Sequence, residues 1–119
     1  MSEIERVNGI IESTFLGYED HGILTFYLYL KFDCTGQGFG GYACDSYDKP
    51  QDRRVGHAFL SEAIGQILKV LKKDSWEKLP GTPIRVERAS FRKISKLGHF
   101  VEDKWIDLDT LAKQMQGAA

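Results

Sequence analysis

The glycine-rich segment at residues 36–41 has residue types and a spacing that could bind phosphate. Its members are Gly36, Gln37, Gly38, Phe39, Gly40 and Gly41. Three of the glycines match G-x-G-x-x-G, a pattern whose exposed backbone N–H groups can surround an anion. In dinucleotide-binding proteins this pattern opens a helix, whereas here it leads into Tyr42-Ala43-Cys44, which reads as a strand. The segment therefore predicts only a loop that can approach a ligand closely; the alternative is a flexible hairpin loop with Phe39 as a packing anchor.

A strand face with tyrosines is the second candidate site. Tyr27, Tyr29 and Lys31 alternate along the chain and therefore share one face of a strand. Bases stack on tyrosine rings, and cations neutralise phosphate. The sequence predicts a ligand-binding site that combines this face and the glycine-rich segment with the cations Arg85 and Arg88. The alternative is that the tyrosines simply border an uncovered sheet.

The histidines offer a catalytic alternative. His21 lies beside Glu19 and Asp20, and a histidine with carboxylates can act as a general base or as half of a metal site. His57 and His99 are far away in the chain, and no spacing typical of a metal site is present. The sequence therefore predicts no metal and no cofactor. A small nucleotide-modifying or hydrolytic enzyme that uses His21 with Glu19 or Asp20 is the alternative function.

The two cysteines, Cys34 and Cys44, flank the glycine-rich segment. They are too few for a disulfide scaffold or for a zinc site made of cysteines, so both are expected as free thiols in a reducing cytosol. A thiolate nucleophile would need a base to lower its pKa, for which His57 is the candidate. Small buried hydrophobic residues are the alternative role.

The elements that position these residues begin with a long hairpin. Residues 7–16 are rich in β-branched and aromatic side chains, and Glu19-Asp20-His21-Gly22 reads as a tight turn. Residues 23–33 alternate strictly, with apolar side chains on one face. This pattern predicts two antiparallel strands, and residues 42–47 predict a short third strand.

A helix and further strands follow. The apolar spacing in residues 55–71 predicts an amphipathic helix, capped by Asp48 or Asp52 after the entry signal Asp48-Lys49-Pro50. Residues 84–88 and 91–101 predict strands, with Gly98 as a bend or bulge, and Asp107 caps a short C-terminal helix. The order β-β-β-α-β-β-α predicts an α+β fold: a mostly antiparallel sheet packed on one long amphipathic helix, with a short C-terminal helix.

Length and charge limit the class of protein. The 119 residues predict a single domain over 1–119, which excludes kinases and TIM barrels. Residues 1–52 carry a net charge of −6 and residues 53–96 a net charge of +7. The basic part favours an anionic partner, unless the charged segments neutralise each other in space. No apolar run approaches the roughly 18 residues of a membrane span, and the acidic N-terminus does not read as a signal peptide, so a cytosolic protein is expected.

Several motifs are spread between residues 11 and 86: Ile11-Glu12-Ser13-Thr14, Gly17-Tyr18-Glu19-Asp20-His21-Gly22-Ile23, Gly36-Gln37-Gly38-Phe39-Gly40-Gly41-Tyr42, Asp74-Ser75-Trp76-Glu77-Lys78-Leu79-Pro80-Gly81 and Ile84-Arg85-Val86. Together they resemble a family of small phage- and prophage-encoded proteins that has no established activity. The resemblance implies a phage accessory role in the cytoplasm of an infected bacterial host. It brings no catalytic residue with it. By analogy, phage proteins of this size often act against host defence.

The leading hypothesis is therefore a non-enzymatic phage protein that works by binding. Its partner would be a host defence protein, blocked as anti-CRISPR-type inhibitors do, or a small nucleotide signal that it sequesters. A nucleic-acid-binding module that uses the basic segment 85–96 is a further alternative. An exposed strand edge would also allow a homodimer by edge pairing.

Overall fold

The fold is built around one antiparallel sheet. The computed structural model describes residues 4–19, 22–88 and 94–117. Its strands are β1 (Glu5–Tyr18), β2 (Leu24–Lys31), β3 (Gly36–Gly40), β4 (Asp45–Asp48), β5 (Arg53–Gly56), β6 (Pro83–Arg88), β7 (Ile94–His99) and β8 (Trp105–Ile106). Six of them form the main sheet in the order β3-β2-β1-β6-β7-β8, and β4 pairs with β5 in a small second sheet.

The predicted hairpin of β1 and β2 is confirmed. The strands pair from Ile10 opposite Lys31 to Tyr18 opposite Leu24. At the turn, the N–H of Glu19 donates to the carbonyl of Ile23 over 3.0 Å. Gly22 has a φ of 76°, a conformation that glycine adopts without steric cost. Asp20 and His21, which complete the turn, lie outside the described residues.

The core lies on one face of the main sheet. The apolar residues of β2 point there, and Phe26 and Leu28 are completely buried. Two helices, α1 (Ala58–Leu71) and α2 (Leu108–Ala112), join this core. α1 contributes the side chains Phe59, Ala63, Ile67 and Leu71, all four of which are buried at helical spacing.

The predicted architecture of a sheet packed on one long amphipathic helix is wrong. The structure is mostly antiparallel sheet, with 47% strand and 24% helix, and its helices are short. α1 has 14 residues and α2 has five. The element order also differs, because five strands precede α1 and three follow it. No helix in the described ranges is long and apolar enough to cross a membrane.

The segment from 45 to 56 explains much of the difference. It was predicted as a strand followed by a helix entry, but it folds into the β4–β5 hairpin. The N–H of Asp52 donates to the carbonyl of Lys49, and Asp52 has a φ of 51°. Proline favours the second position of such a turn as well as the first turn of a helix. The signal at Pro50 was therefore ambiguous, and α1 begins later, with His57 at its N-cap position.

The C-terminal part follows its prediction at one position and departs from it at another. Asp107 caps α2, since its Oδ1 accepts a hydrogen bond from the N–H of Thr110. Gly98, predicted as a bend or bulge, instead lies in regular register between Arg85 of β6 and Trp105 of β8. The irregularity in this part of the sheet falls between Glu87 and Arg88. Of the predicted strand 91–101, residues 91–93 lie outside the described residues.

Candidate functional site on the open face of the sheet

The face of the main sheet opposite the core, called the open face below, carries an aromatic cluster. The rings of Phe15 and Tyr27 stack with centroids 5.1 Å apart, and Tyr29 meets Tyr27 edge-on at 4.8 Å. The side chain of Tyr29 is 45% exposed, and Lys31 extends the row into solvent. The hydrogen bond with the neighbouring Tyr29 side chain, followed by desolvation, raises the pKa of Tyr27, so the Tyr27 phenol is uncharged near neutral pH.

The glycine-rich segment is a strand rather than the predicted loop. In β3, Gly36 lies opposite Lys31, Gly38 opposite Tyr29 and Gly40 opposite Tyr27. Directly opposed residues of an antiparallel pair share a sheet face. The glycines therefore leave a strip of bare backbone beside the tyrosine row, on the open face.

The other members of the segment belong to the core side or to the strand end. Phe39 is 5% exposed and packs opposite Leu28 in the core, so it is an anchor rather than a surface group. Gln37 accepts a hydrogen bond from Arg88 Nη1 over 3.0 Å. Gly41 directly follows β3 with a φ of 85°, and its N–H donates to the carbonyl of Phe26.

The two arginines predicted for the site lie apart from the tyrosines. Arg88 is on the core side, 5% exposed, with Nε 2.9 Å from Glu5 Oε1 and its guanidinium 4.8 Å from the ring centre of Phe32. Arg85 is on the open face, but it lies on β6, two strands from β2, a separation of roughly 10 Å across the sheet. The structure thus brings Gly38 and Gly40 to the tyrosines, and brings neither arginine there.

The side chain of Arg85 has structural partners. Its Nε and Nη2 donate to the carbonyl oxygens of His99 and Glu102, both over 2.9 Å. Its guanidinium also lies 4.9 Å from the ring centre of Trp105, which Arg6 approaches at 5.2 Å. Arg85 therefore holds the turn after β7 and orients the tryptophan. Arg92 and Lys93 of the basic segment 85–96 lie outside the described residues.

An apolar groove next to the aromatic cluster is the feature that the sequence analysis missed. It has a volume of about 620 Å³, and its walls include Ile10, Lys31, Pro83 and Phe100. Ile10 and Phe100 are 48% and 43% exposed. The strand β1 has a bulge between Ile11 and Ser13 beside the groove, and bulges often re-aim side chains next to binding sites. One signal was readable: adjacent isoleucines in a strand point to opposite faces, so Ile10 or Ile11 had to be on the open face.

The described residues give little support to a catalytic function. Cys44 is buried, and burial, followed by the nearby Asp45, raises its pKa to about 11, which disfavours a thiolate. His99 Nδ1 accepts the N–H groups of Val101 and Glu102, so this histidine shapes a turn. Within ranges 4–19, 22–88 and 94–117, no group of three or more His, Cys, Asp or Glu could hold a metal ion. His21 and Asp20 are outside these ranges.

The charge segregation along the chain is partly neutralised in space. Glu5 and Arg6 of the acidic segment pair with Arg88 and Glu87 of the basic segment, each over 2.9 Å. A further basic residue, Lys72, pairs with the acidic C-terminal part. The antiparallel pairing of β1 with β6 is the cause, because it places oppositely charged ends side by side.

Asp45 connects the small sheet to the main hairpin. Its Oδ1 accepts from Arg54 Nη2 over 2.9 Å and from the N–H of Leu24 over 3.1 Å, and the side chain is 4% exposed. The hydrogen bond from Arg54 is the main reason that the pKa of Asp45 is lowered from its ordinary value of 3.8. Because the folded-state pKa is the lower one, this carboxylate stabilises the fold above pH 3.8, and the contribution is lost as the pH falls through the folded-state value.

Asp45→Asn is expected to lower the free energy of unfolding at neutral pH by about 1–3 kcal/mol, the cost of weakening a buried hydrogen bond to a charged group. Below pH 3.8 the stabilities of variant and wild type should converge. Urea unfolding as a function of pH measures both. The matched control is Asp74→Asn, since Asp74 forms a surface pair with Lys78 and should change stability little. Equal pH profiles for wild type and Asp45→Asn would contradict the assignment.

Comparison with known proteins gives no relative from which a function could be transferred. No protein-family model matches the chain, and neither a curated protein nor a solved structure matches it. The resemblance to small phage-encoded proteins therefore stays a prediction.

Proposed function

We propose that this protein acts without catalysis, by docking the open face of its sheet onto a protein partner. The docking surface, called the open-face patch, consists of Ile10, Tyr29, Lys31, Pro83 and Phe100. The observation that carries the proposal is an apolar groove whose walls include the exposed side chains of Ile10 and Phe100. Tyr29, also exposed, lies on the same face of β2 as Lys31, which is a residue of the groove wall. Contiguous exposed apolar groups with a polar rim are typical of interaction sites, and tyrosine is enriched among the residues that dominate binding energy.

A protein partner fits this surface better than a nucleotide does. A nucleotide needs cations close to its stacking platform, but Arg85 already donates to backbone carbonyls and Arg88 lies on the opposite side of the sheet. Lys31, two residues after Tyr29 on the same face of β2, is one cation beside the tyrosine row. Apolar groove walls next to an aromatic ring instead match the buried centre of a protein interface. Sequestration of a nucleotide signal is the competing form of binding.

The biological setting of the proposal comes from the resemblance to phage-encoded proteins. In that setting the partner is a component of host defence in the cytoplasm of the infected bacterium. The protein would inhibit it by covering a functional surface, as anti-CRISPR-type inhibitors do. A small single domain with a pre-formed sheet is suited to this role, because little conformational freedom is lost on binding.

The test is a pull-down from lysate of a bacterial host, followed by titration calorimetry with the partner identified. Tyr29→Ala and Ile10→Ser are each expected to weaken binding by at least about tenfold, because truncating a central contact of an interface typically costs more than 1 kcal/mol. Tyr47→Ala is the matched control: Tyr47 is also an exposed tyrosine, at 52%, but it lies on the small sheet. Its binding should equal that of the wild type.

Two results would contradict the proposal. The first is a partner whose affinity is unchanged by Tyr29→Ala and Ile10→Ser. The second is a thermal-shift response to nucleotides that these variants abolish, since a ligand at a hundred times its Kd adds about 2.7 kcal/mol to stability. An unchanged nucleotide recovered after denaturation would then establish sequestration, and a changed nucleotide would establish an enzyme.

A further inference from the structure

The glycine strand β3 lies at one edge of the main sheet. It is the terminal strand of the six-stranded sheet, and its five residues make it longer than the other terminal strand, β8, which has two. Gly36 and Gly38 are exposed. The described residues place no strand beyond β3.

The alternation of hydrogen-bonded and non-hydrogen-bonded residue pairs between β2 and β3 shows which backbone groups of β3 point away from β2. The N–H of Phe32 donates to the carbonyl of Thr35 over 2.8 Å, so these two residues form a hydrogen-bonded pair of the hairpin. Hydrogen-bonded and non-hydrogen-bonded pairs alternate in an antiparallel ladder. Gln37 and Phe39 therefore exchange hydrogen bonds with β2, whereas Gly36 and Gly38 direct their N–H and C=O groups to the outer edge. Gly40, the last residue of β3, directs its N–H and C=O groups to the outer edge in the same way.

This edge lacks the features that usually prevent pairing with another chain. Protected edges carry charged side chains, proline or a bulge, and β3 consists of Gly-Gln-Gly-Phe-Gly. The outward-directed residues have no side chains at all. A second strand can therefore approach without meeting side chains on the open face, and without meeting like charges.

We propose that β3 pairs with β3 of a second copy of this chain, antiparallel, about a two-fold axis through Gly38. The strand is symmetric about this residue in its glycines. In the pairing, Gly38 faces Gly38 of the second copy, and Gly36 of each chain faces Gly40 of the other. Outward donors and acceptors then meet in hydrogen-bonded pairs, and Gln37 meets Phe39 across the interface. This self-complementarity is what an isologous interface requires.

The paired copies share one continuous sheet. A two-fold axis of this kind stands perpendicular to the sheet, so both open faces lie on the same side of the dimer. Two copies of the open-face patch then point in one direction. The dimer does not depend on the proposed function, because β3 contributes no residue to that patch.

Gly38→Pro tests the pairing with little change to the chain itself. Proline removes the outward N–H, which β2 does not use, and edge strands tolerate proline at such positions. Gly38→Ala is the matched control, since a Cβ at Gly38 meets nothing within 4 Å and the N–H remains. Size-exclusion chromatography with light scattering should give twice the chain mass of 13.5 kDa for the wild type and for Gly38→Ala, and half that value for Gly38→Pro.

Circular dichroism shows whether Gly38→Pro folds. If it does not fold, a second measurement on the wild-type protein still tests the pairing. Hydrogen exchange of the Gly38 amide in the wild-type protein should slow as the protein concentration rises, because the pairing protects it. A wild type with the mass of one chain overturns the proposal. A Gly38→Pro variant that remains dimeric also overturns it, as does rapid exchange at Gly38 in the dimer.

Discussion

Phe26→Ala is expected to lower the free energy of unfolding by about 3–5 kcal/mol, the usual cost of removing a buried aromatic side chain. Phe26 has no exposed surface and lies on the core face of β2. Its ring is 6.4 Å from that of Phe59 in α1 and 6.1 Å from that of Trp76, which it meets edge-on. The truncation therefore opens a cavity between the sheet and α1, where the surrounding side chains can relax only in part. Urea unfolding followed by circular dichroism gives the change.

Phe15→Ala is the matched control, because it removes the same side chain from the opposite face of the sheet. Phe15 lies opposite Tyr27 and is only half-buried against it. The expected loss is about 0.5–1.5 kcal/mol, the scale of one aromatic pair. Similar losses for both variants would contradict the placement of Phe15 on an uncovered face, and would remove the basis for docking there.

Gly98→Ala is expected to destabilise the protein by about 1–3 kcal/mol, as overpacked substitutions do. A Cβ at this position would lie 2.5 Å from Cε3 of the Trp105 ring and 2.7 Å from its Cδ2. The ring cannot move away without losing its contacts with Arg6 and Arg85. The tryptophan fluorescence of the folded state should change together with the unfolding midpoint.

Gly65→Ala is expected to change the free energy of unfolding in the opposite direction. Gly65 lies within α1, and a Cβ there meets nothing within 4 Å. Alanine in a helix is favoured over glycine by about 1 kcal/mol, so this variant should be more stable than the wild type. If Gly98→Ala and Gly65→Ala change the free energy of unfolding in the same direction, the close contact with Trp105 does not explain the effect of Gly98→Ala.

Local patterns predicted some of this structure correctly. The strict alternation in residues 23–33 predicted the core face of β2, and Asp107 was identified as a helix cap. On the other face of β2, Thr25 is nevertheless completely buried, and its Oγ1 donates to the carbonyl of Tyr42 over 2.7 Å. The same rule of alternation separates Arg85 from Arg88, which lie three residues apart in a strand and must point to opposite faces. Arg85 and Arg88 therefore cannot both lie on the face of the tyrosines.

Other features depend on contacts between distant parts of the chain. The groove forms because β1 pairs with β6, which brings Pro83 opposite Ile10, and no local pattern encodes this register. The glycine-rich segment was predicted as a loop because glycine has a low intrinsic preference for strands. Pairing with the strongly patterned β2, with Phe39 packed opposite Leu28, overrides that preference. The helix start was placed too early because Pro50 fits a turn equally well.

The position of β1 in the middle of the sheet has a consequence for synthesis of the chain. Its partner β2 follows within a few residues, but its other partner, β6, starts at Pro83. The β1–β2–β3 meander can therefore form on the ribosome while one edge of β1 still awaits its neighbour. That edge begins with Glu5 and Arg6, whose charges discourage pairing with other nascent chains. The same two residues later form ion pairs with Arg88 and Glu87, so they serve first to keep the growing chain apart from others and then to close the sheet.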